Sequence, residues 1–268
     1  MITVENVLEY LFTIAPVEAK MDFDNVGLLV GRKDARVNRA LVSLDITNDV
    51  ITEALDIGAE LIVSHHPLFF SLKSITDDDT IGQKLIRIIS GGISAICMHT
   101  NLDAAKGGTS DALAIAAGIA NGSAFAELLD DEGKLQNGTP YSYGRAGCIQ
   151  NPLSLEKYLE LLKKALKTDG LRYYDAGKEV YKVAVVSGSG GDYLLASKKR
   201  GCDTLVTADI KYDVFLEAME LGMNLIDGGH YTTENLVTGT LVEKLCIEFP
   251  QVATRASTNH SQIVRHFT

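Results

Sequence analysis

Six histidines occur in the 268 residues, and four of them stand where metal chemistry would need them. His65 and His66 close the apolar run Leu61-Ile62-Val63. His99 and His230 are each followed four positions later by an acid, Asp103 and Glu234. Imidazole together with carboxylate at the carboxyl ends of strands is the donor set of a divalent metal site. Neutral imidazoles and carboxylates together give His65, His66, Asp103, His230 and Glu234, with or without His99. That is too many donors for one tetrahedral zinc with an open position. It suits two ions, with a carboxylate such as Asp103 bridging them. Two ions about 3.5–4 Å apart can activate water and polarise a scissile group. Mixed imidazole and carboxylate ligands accept zinc, manganese, iron, cobalt or nickel. A hydrogen-bonded structural role would account for any one of these histidines more simply than for four at matched places. His99 can alternatively orient a ligand rather than coordinate.

Other residues carry weaker signals. Ser187-Gly188-Ser189-Gly190-Gly191 lies between a strand and a helix, where backbone N–H groups could cradle a phosphate or carboxylate. That makes Gly188, Ser189 and Gly190 candidate substrate contacts. The full dinucleotide spacing is broken by Tyr193, so a plain tight turn competes. Asp209 and Lys211 end the strand equivalent to the one bearing His65 and His66; they face either the same cleft or a surface turn. Asp24 and Asp45 read as capping residues rather than as parts of the chemistry. The chain has no H-E-x-x-H, G-x-S-x-G or C-x-x-C, which argues against a zincin protease, a common serine hydrolase and a zinc finger.

The elements that must position these residues alternate regularly. Residues 4–15 carry a helical stripe of Val4, Val7, Leu8, Leu11 and Phe12. Strands are expected at 28–30, 40–44, 61–63 and 93–98, and helices from Thr47 to about Ile57, over 80–90 and over 109–120. The order recurs with strands at 183–186, 205–206 and 224–226, and helices at 192–200, 212–221 and 233–247. Gly58 with Gly201, and Leu44 with Ser187, share an offset of 143 positions. This predicts an α/β fold of two topologically related β-α-β-α-β-α lobes with mostly parallel sheets and the metal site in the cleft between them. The first lobe is 1–120 and the second 181–268. Residues 121–180, punctuated by Asn121-Gly122, Asn137-Gly138 and Gly144, form a bridge of short strands and a helix near 153–167.

The totals narrow the function classes. A formal net charge of −10 and a pI near 5.1 argue against a general nucleic-acid binder. An anionic small-molecule substrate is still admissible, because a bound metal reverses the local sign. Cys97, Cys148, Cys202 and Cys246 are widely spaced and read as buried thiols in a reducing compartment. Glu5, Glu9 and Glu18, with no basic start, exclude a signal peptide over residues 1–20, and no apolar run reaches membrane-spanning length. A soluble cytoplasmic protein is expected.

Phe23-Asp24-Asn25-Val26-Gly27-Leu28, Leu44-Asp45-Ile46-Thr47, Ser64-His65-His66-Pro67, Met98-His99-Thr100-Asn101-Leu102-Asp103, Gly188-Ser189-Gly190 and Gly229-His230-Tyr231-Thr232-Thr233-Glu234 occur in family order. The chain resembles the NIF-three-like dinuclear metal centre family, whose members are often named GTP cyclohydrolase 1 type 2 homologues. The resemblance covers most of residues 5–245. It implies a homo-hexamer, a two-metal site in each subunit, and His65, His66, Asp103, His230 and Glu234 as ligands. His99 matches a family histidine close to the metals that could shuttle protons. The name implies a metal-dependent hydrolase in which water adds to the guanine imidazole ring, the ring opens and formate leaves. A metal-handling or regulatory hexamer without turnover is the competing reading. The family often has Trp at Phe23, Gly at Ala208 and His at Asp213, so the surroundings of the second strand end depart from its pattern.

Overall fold

The structure is a computed structural model; it describes residues 1–119, 127–129 and 142–267. The Asn121-Gly122 and Asn137-Gly138 turns lie outside the described residues. The chain divides into two compact units, Met1–Leu102 with Val237–Ser261, and Asp103–Leu236 with Gln262–Thr268. No helix among the described residues is long and apolar enough to cross a membrane.

The first unit opens with α1 (Val4–Ile14), whose cap is reciprocal: Thr3 accepts from the Asn6 amide, and the Asn6 side chain accepts from the Thr3 amide. β1 (Gly27–Val30), β2 (Arg39–Ser43), α2 (Asn48–Ile57), β3 (Leu61–Ser64), α3 (Thr80–Ser90) and β4 (Ser94–Cys97) follow. The start and stop of α2 were legible residue by residue. Thr47 Oγ1 accepts from the Val50 amide, and Gly58 ends the helix in the left-handed region at φ +65°. β3 is buried along its length, as a strand with neighbours on both sides and helices against it must be. Leu41, Ile62 and Ala95 from three adjacent strands pack with Val50, Ile51 and Ala54 of α2 and with Leu85 and Ile88 of α3.

With a further strand, β11 (Ala253–Ala256), the sheet order is β1-β4-β3-β2-β11, with parallel pairing except between β1 and β4. β11 was not expected from sequence. It pairs parallel to β2, and the chain from Val237 through Ser261, the last helix included, belongs to the first unit.

The chain enters the second unit within α4 (Thr100–Ala104). This unit holds α5 (Thr109–Ala116), β5 (Glu127–Leu129), β6 (Gly144–Leu153), α6 (Leu155–Leu166), β7 (Arg172–Tyr174), β8 (Val180–Ser189), α7 (Leu194–Lys199), β9 (Thr204–Ala208), α8 (Tyr212–Leu221), β10 (Asn224–Asp227) and α9 (His230–Glu234). Its sheet runs β5-β6-β8-β9-β10-β7, a parallel centre of β8, β9 and β10 with antiparallel flanks. Two cores follow from the alternation of side chains along β8. Val183 and Val185 pack with Leu113, Tyr158, Leu162 and Leu166 on one face. Ala184 and Val186 pack with Leu194, Ala218 and Met223 on the other.

The helix expected over 233–247 is two helices. α9 begins three residues earlier, at His230, and α10 (Leu236–Glu248) follows after a break at Asn235. That earlier start bears directly on the candidate site.

Candidate metal centre

Each unit carries part of the candidate donor set. In the first unit, His65 and His66 follow the last residue of β3, and His99 lies between the end of β4 and the start of α4. Parallel pairing of β3 with β4 brings these strand ends together. The ring centroids are 5.1 Å apart for His65 and His66, 5.3 Å for His65 and His99, and 5.5 Å for His66 and His99. One ring nitrogen from each lies within 4.8 Å of the others.

The hydrogen bonds at Nδ1 fix which nitrogen can act as a ligand. His65 Nδ1 lies 2.8 Å from the Met98 carbonyl oxygen, which can only accept. His66 Nδ1 lies 2.7 Å from Asp45 Oδ1, and His99 Nδ1 lies 2.8 Å from Asp24 Oδ1. In all three neutral rings Nδ1–H donates, so Nε2 carries the lone pair. A carbonyl or carboxylate behind the ring is the arrangement that orients an imidazole and raises its basicity toward a metal.

Asp24 and Asp45 therefore do more than the capping expected of them. Asp24 is buried and also accepts from the amide and hydroxyl of Thr100 at the start of α4. Burial would raise its carboxyl, but hydrogen bonds from His99 and Thr100 outweigh this and bring its pKa down to about 2. For Asp45, too, burial acts upward, and hydrogen bonds from His260 and His66 hold the carboxyl well below the usual range. Both acids are thus anions behind their histidines at neutral pH. The Asp45–His66 pairing had a usable sequence signal: β2 and β3 align Ser43 with Ser64, and each partner lies two residues beyond. The Asp24–His99 pairing spans 75 positions and had none.

In the second unit, α9 contains both members of its His-acid pair. His230 Nε2 lies 3.0 Å from Glu234 Oε2, one helical turn on. His230 Nδ1 lies 2.6 Å from Asp209 Oδ2. Asp209 follows β9 and has a left-handed backbone at φ +53°, a conformation Asp adopts more readily than most residues. Its bond to His230 resolves the choice left open at that strand end, whereas Lys211 is exposed and precedes α8. Asp103 and Glu234 are only 9% and 3% exposed, and their ligand oxygens lie within 4.8 Å of each other. Two buried carboxylates at this spacing are costly without a cation. Taken unit by unit, the residues thus fit a divalent metal: the first by the type and orientation of its imidazoles, the second by its buried like-charge pair.

The glycine turn serves this set from behind. A Cβ on Gly188 would come 2.1 Å from Glu234 Oε1, and Gly188 has φ +60°. Its amide donates to Thr233 Oγ1 at 3.2 Å. Close approach of the backbone to Glu234 explains the glycine without a phosphate. Ser187 Oγ donates to Asp103 Oδ1 at 3.3 Å.

The Duf34/NIF3 (NGG1p interacting factor 3) family model matches residues 2–263. The chain belongs to the Duf34/NIF3 family. A Clostridium perfringens protein named GTP cyclohydrolase 1 type 2 homolog is 35% identical over 242 residues, covering 90% of each chain. A solved Bacillus cereus protein related to NIF3 shares the fold at a TM-score of 0.88, covering 100% of this chain and 99% of its own, at 24% identity. A Staphylococcus aureus hypothetical protein of known structure matches at a TM-score of 0.87 and 26% identity, covering 99% of both chains. The mixed α/β fold expected from the alternating elements is the fold of these Duf34/NIF3 relatives.

His230 gives this family member a pH dependence. Burial lowers its pKa, but hydrogen bonds and charge from Glu234 and Asp209 more than reverse this and raise it from 6.5 to about 9. The protonated ring therefore contributes stability to the metal-free protein that is complete below about pH 6.5 and is lost as pH rises through about 9. A metal held by His230 would need the neutral ring, so its binding near pH 7.5 would release this proton, and its affinity would climb with pH toward about 9. Zinc titration calorimetry in buffers of different ionisation enthalpy measures the release. Heats independent of the buffer would refute it.

Proposed function

We propose that the protein is a dinuclear divalent-metal hydrolase, with His65, His66, Asp103, His230 and Glu234 holding two ions in each subunit of a homo-hexamer. The observation that carries this reading is the trio His65, His66 and His99, each with Nδ1 committed to a carbonyl or carboxylate and Nε2 left as the lone-pair donor. The buried pair Asp103 and Glu234 supports it from the second unit. When bound, two ions would supply an activated water and a polarised scissile group.

The protein's own residues divide the remaining work. Asp45 and the Met98 carbonyl keep His66 and His65 in the metal-binding tautomer. Asp24 keeps a proton on His99 Nδ1, so His99 Nε2 can take a proton and return it during turnover. The cationic centre would offset the −10 net charge locally and favour a small anionic substrate with a heterocyclic or amide-like bond to break. The name of the clostridial relative supports GTP as the first substrate to try.

The test is to load the metal-free protein in turn with zinc, manganese, ferrous iron, cobalt and nickel. Each form is then assayed for formate release from GTP and for hydrolysis of phosphoesters and cyclic amides. Turnover that disappears in His99→Ala, with ions retained, supports the assignment. Exchangeable ions without turnover of any class would instead assign metal handling, and failure to bind any ion would remove both readings.

A further inference from the structure

His66 is held by a chain of contacts that begins far along the sequence, wholly within the first unit. Its Nδ1 donates to Asp45 Oδ1 at 2.7 Å, and the other oxygen of the same carboxylate, Oδ2, lies 2.9 Å from His260 Nε2. The Asp45 side chain follows β2 in an open stretch and is 42% exposed, whereas that of His260 is 7% exposed. A carboxylate this exposed can turn about its last side-chain bond. Fixing Oδ2 removes that rotation and aims Oδ1 at His66.

His260 is itself delivered by a strap. β11 runs alongside β2, and the Ser257 amide donates to the Val42 carbonyl at 2.7 Å. Glu53, buried on α2, then gathers the next residues. Its carboxylate accepts from Arg255 at 2.9 Å, from Ser257 Oγ at 2.6 Å, from the Thr258 hydroxyl at 3.1 Å, and from the Thr258 and Asn259 amides. A buried carboxylate spent on five neighbouring donors fixes a backbone segment that has little apolar surface of its own. The segment it fixes ends at the imidazole that holds Asp45.

We infer that His260 is a positioning residue for the metal centre, acting through Asp45 on His66, and that residues 253–260 are the strap that places it. This rests on the proposed role of His66 as a ligand. His260 Nε2–H holds Oδ2, Oδ1 holds His66 Nδ1–H, and His66 Nε2 is thereby kept in one direction and one tautomer. Groups that orient a ligand from behind typically change metal affinity by about 10–100-fold when removed.

The experiment compares wild type, His260→Ala and His260→Gln. Gln keeps an N–H donor near the position of His260 Nε2. Cobalt affinity, read from the visible absorption of the bound ion, should weaken about 10–100-fold in His260→Ala and recover to within a few-fold in His260→Gln. Unchanged affinity in His260→Ala overturns the inference. So does equal weakening in both variants, because it would show a packing role for the ring. A second readout needs no metal: ring nitrogen resonances of 15N-histidine-labelled apo-protein. His66 should be Nδ1-protonated in wild type and in His260→Gln, and a tautomer mixture in His260→Ala. If wild type binds no cobalt, the ligand assignment falls and the His66 tautomer decides the positioning claim by itself. No change of tautomer in His260→Ala would then overturn it.

Discussion

Asp103→Asn should stabilise or leave unchanged the metal-free protein while removing most of its metal binding. These opposite signs come from one feature. Asp103 and Glu234 are buried with oxygens within 4.8 Å of each other. At an effective dielectric constant of about 20, two unit charges at that separation repel by roughly 3 kcal/mol. Nearby donors, including Ser187 Oγ and His230, offset part of this. An amide at position 103 removes the repulsion and keeps the shape, but it is a far poorer ligand for a divalent ion and cannot bridge two. If the centre holds two ions per subunit, as proposed, ion content should fall to one or none, measured by elemental analysis. The thermal midpoint of the metal-free form should hold or rise, and the further rise on adding zinc should shrink. Saturation at about a hundred times Kd stabilises a folded protein by about 2.7 kcal/mol, so that difference is measurable. If Asp103→Asn kept two ions, the carboxylate would have no role as a ligand. If it unfolded without metal, the like-charge argument would fail.

The ease with which parts of this molecule could be anticipated follows the distance over which each signal acts. The α2 boundaries depended on Thr47 and Gly58 within one turn of the helix, and His230 with Glu234 needed only helical spacing. Alternating strands and helices gave the element order for the same reason. The acids behind the histidines were harder because their partners are 75 and 21 positions away, and only the second pairing could have been inferred from strand register. β11 has no sequence signal because an edge strand reading Ala-Thr-Arg-Ala is mostly exposed and shows no apolar alternation. His260, which that strand delivers, has no signal for the same reason. The Gly188 turn was legible as a glycine requirement, but not its cause. A backbone pressed against Glu234 and one wrapped round a phosphate demand the same residue.

Arg145 gave no signal at all, being a lone basic residue at the start of a strand, yet it should be among the most sensitive positions in the chain. It is 2% exposed, and its guanidinium is fully engaged. Nε donates to Asp111 Oδ1 at 2.5 Å. One terminal nitrogen donates to the Ser142 and Gly144 carbonyls at 2.7 and 2.9 Å, the other to those of Ala104 and Ala105 at 3.4 and 3.2 Å. Asp111 in turn accepts from the Gly107 amide at 2.5 Å. The pair therefore pins the turn between α4 and α5, immediately after Asp103. Arg145→Met keeps the bulk and removes every donor. It leaves a mostly buried carboxylate without its cation and four carbonyls without their N–H groups, a loss expected to cost about 3–5 kcal/mol. Urea denaturation of the metal-free protein would measure it. The double variant Arg145→Met with Asp111→Leu should lose less than Arg145→Met alone, because it removes the stranded charge as well. Zinc affinity should also fall in Arg145→Met, since the backbone that aims Asp103 is no longer held. Arg145→Lys should recover only part of either quantity, because one ammonium cannot span five acceptors that a planar guanidinium meets together. A loss below about 1 kcal/mol in Arg145→Met would mean that the turn is held by other contacts and that the guanidinium network adds little to it.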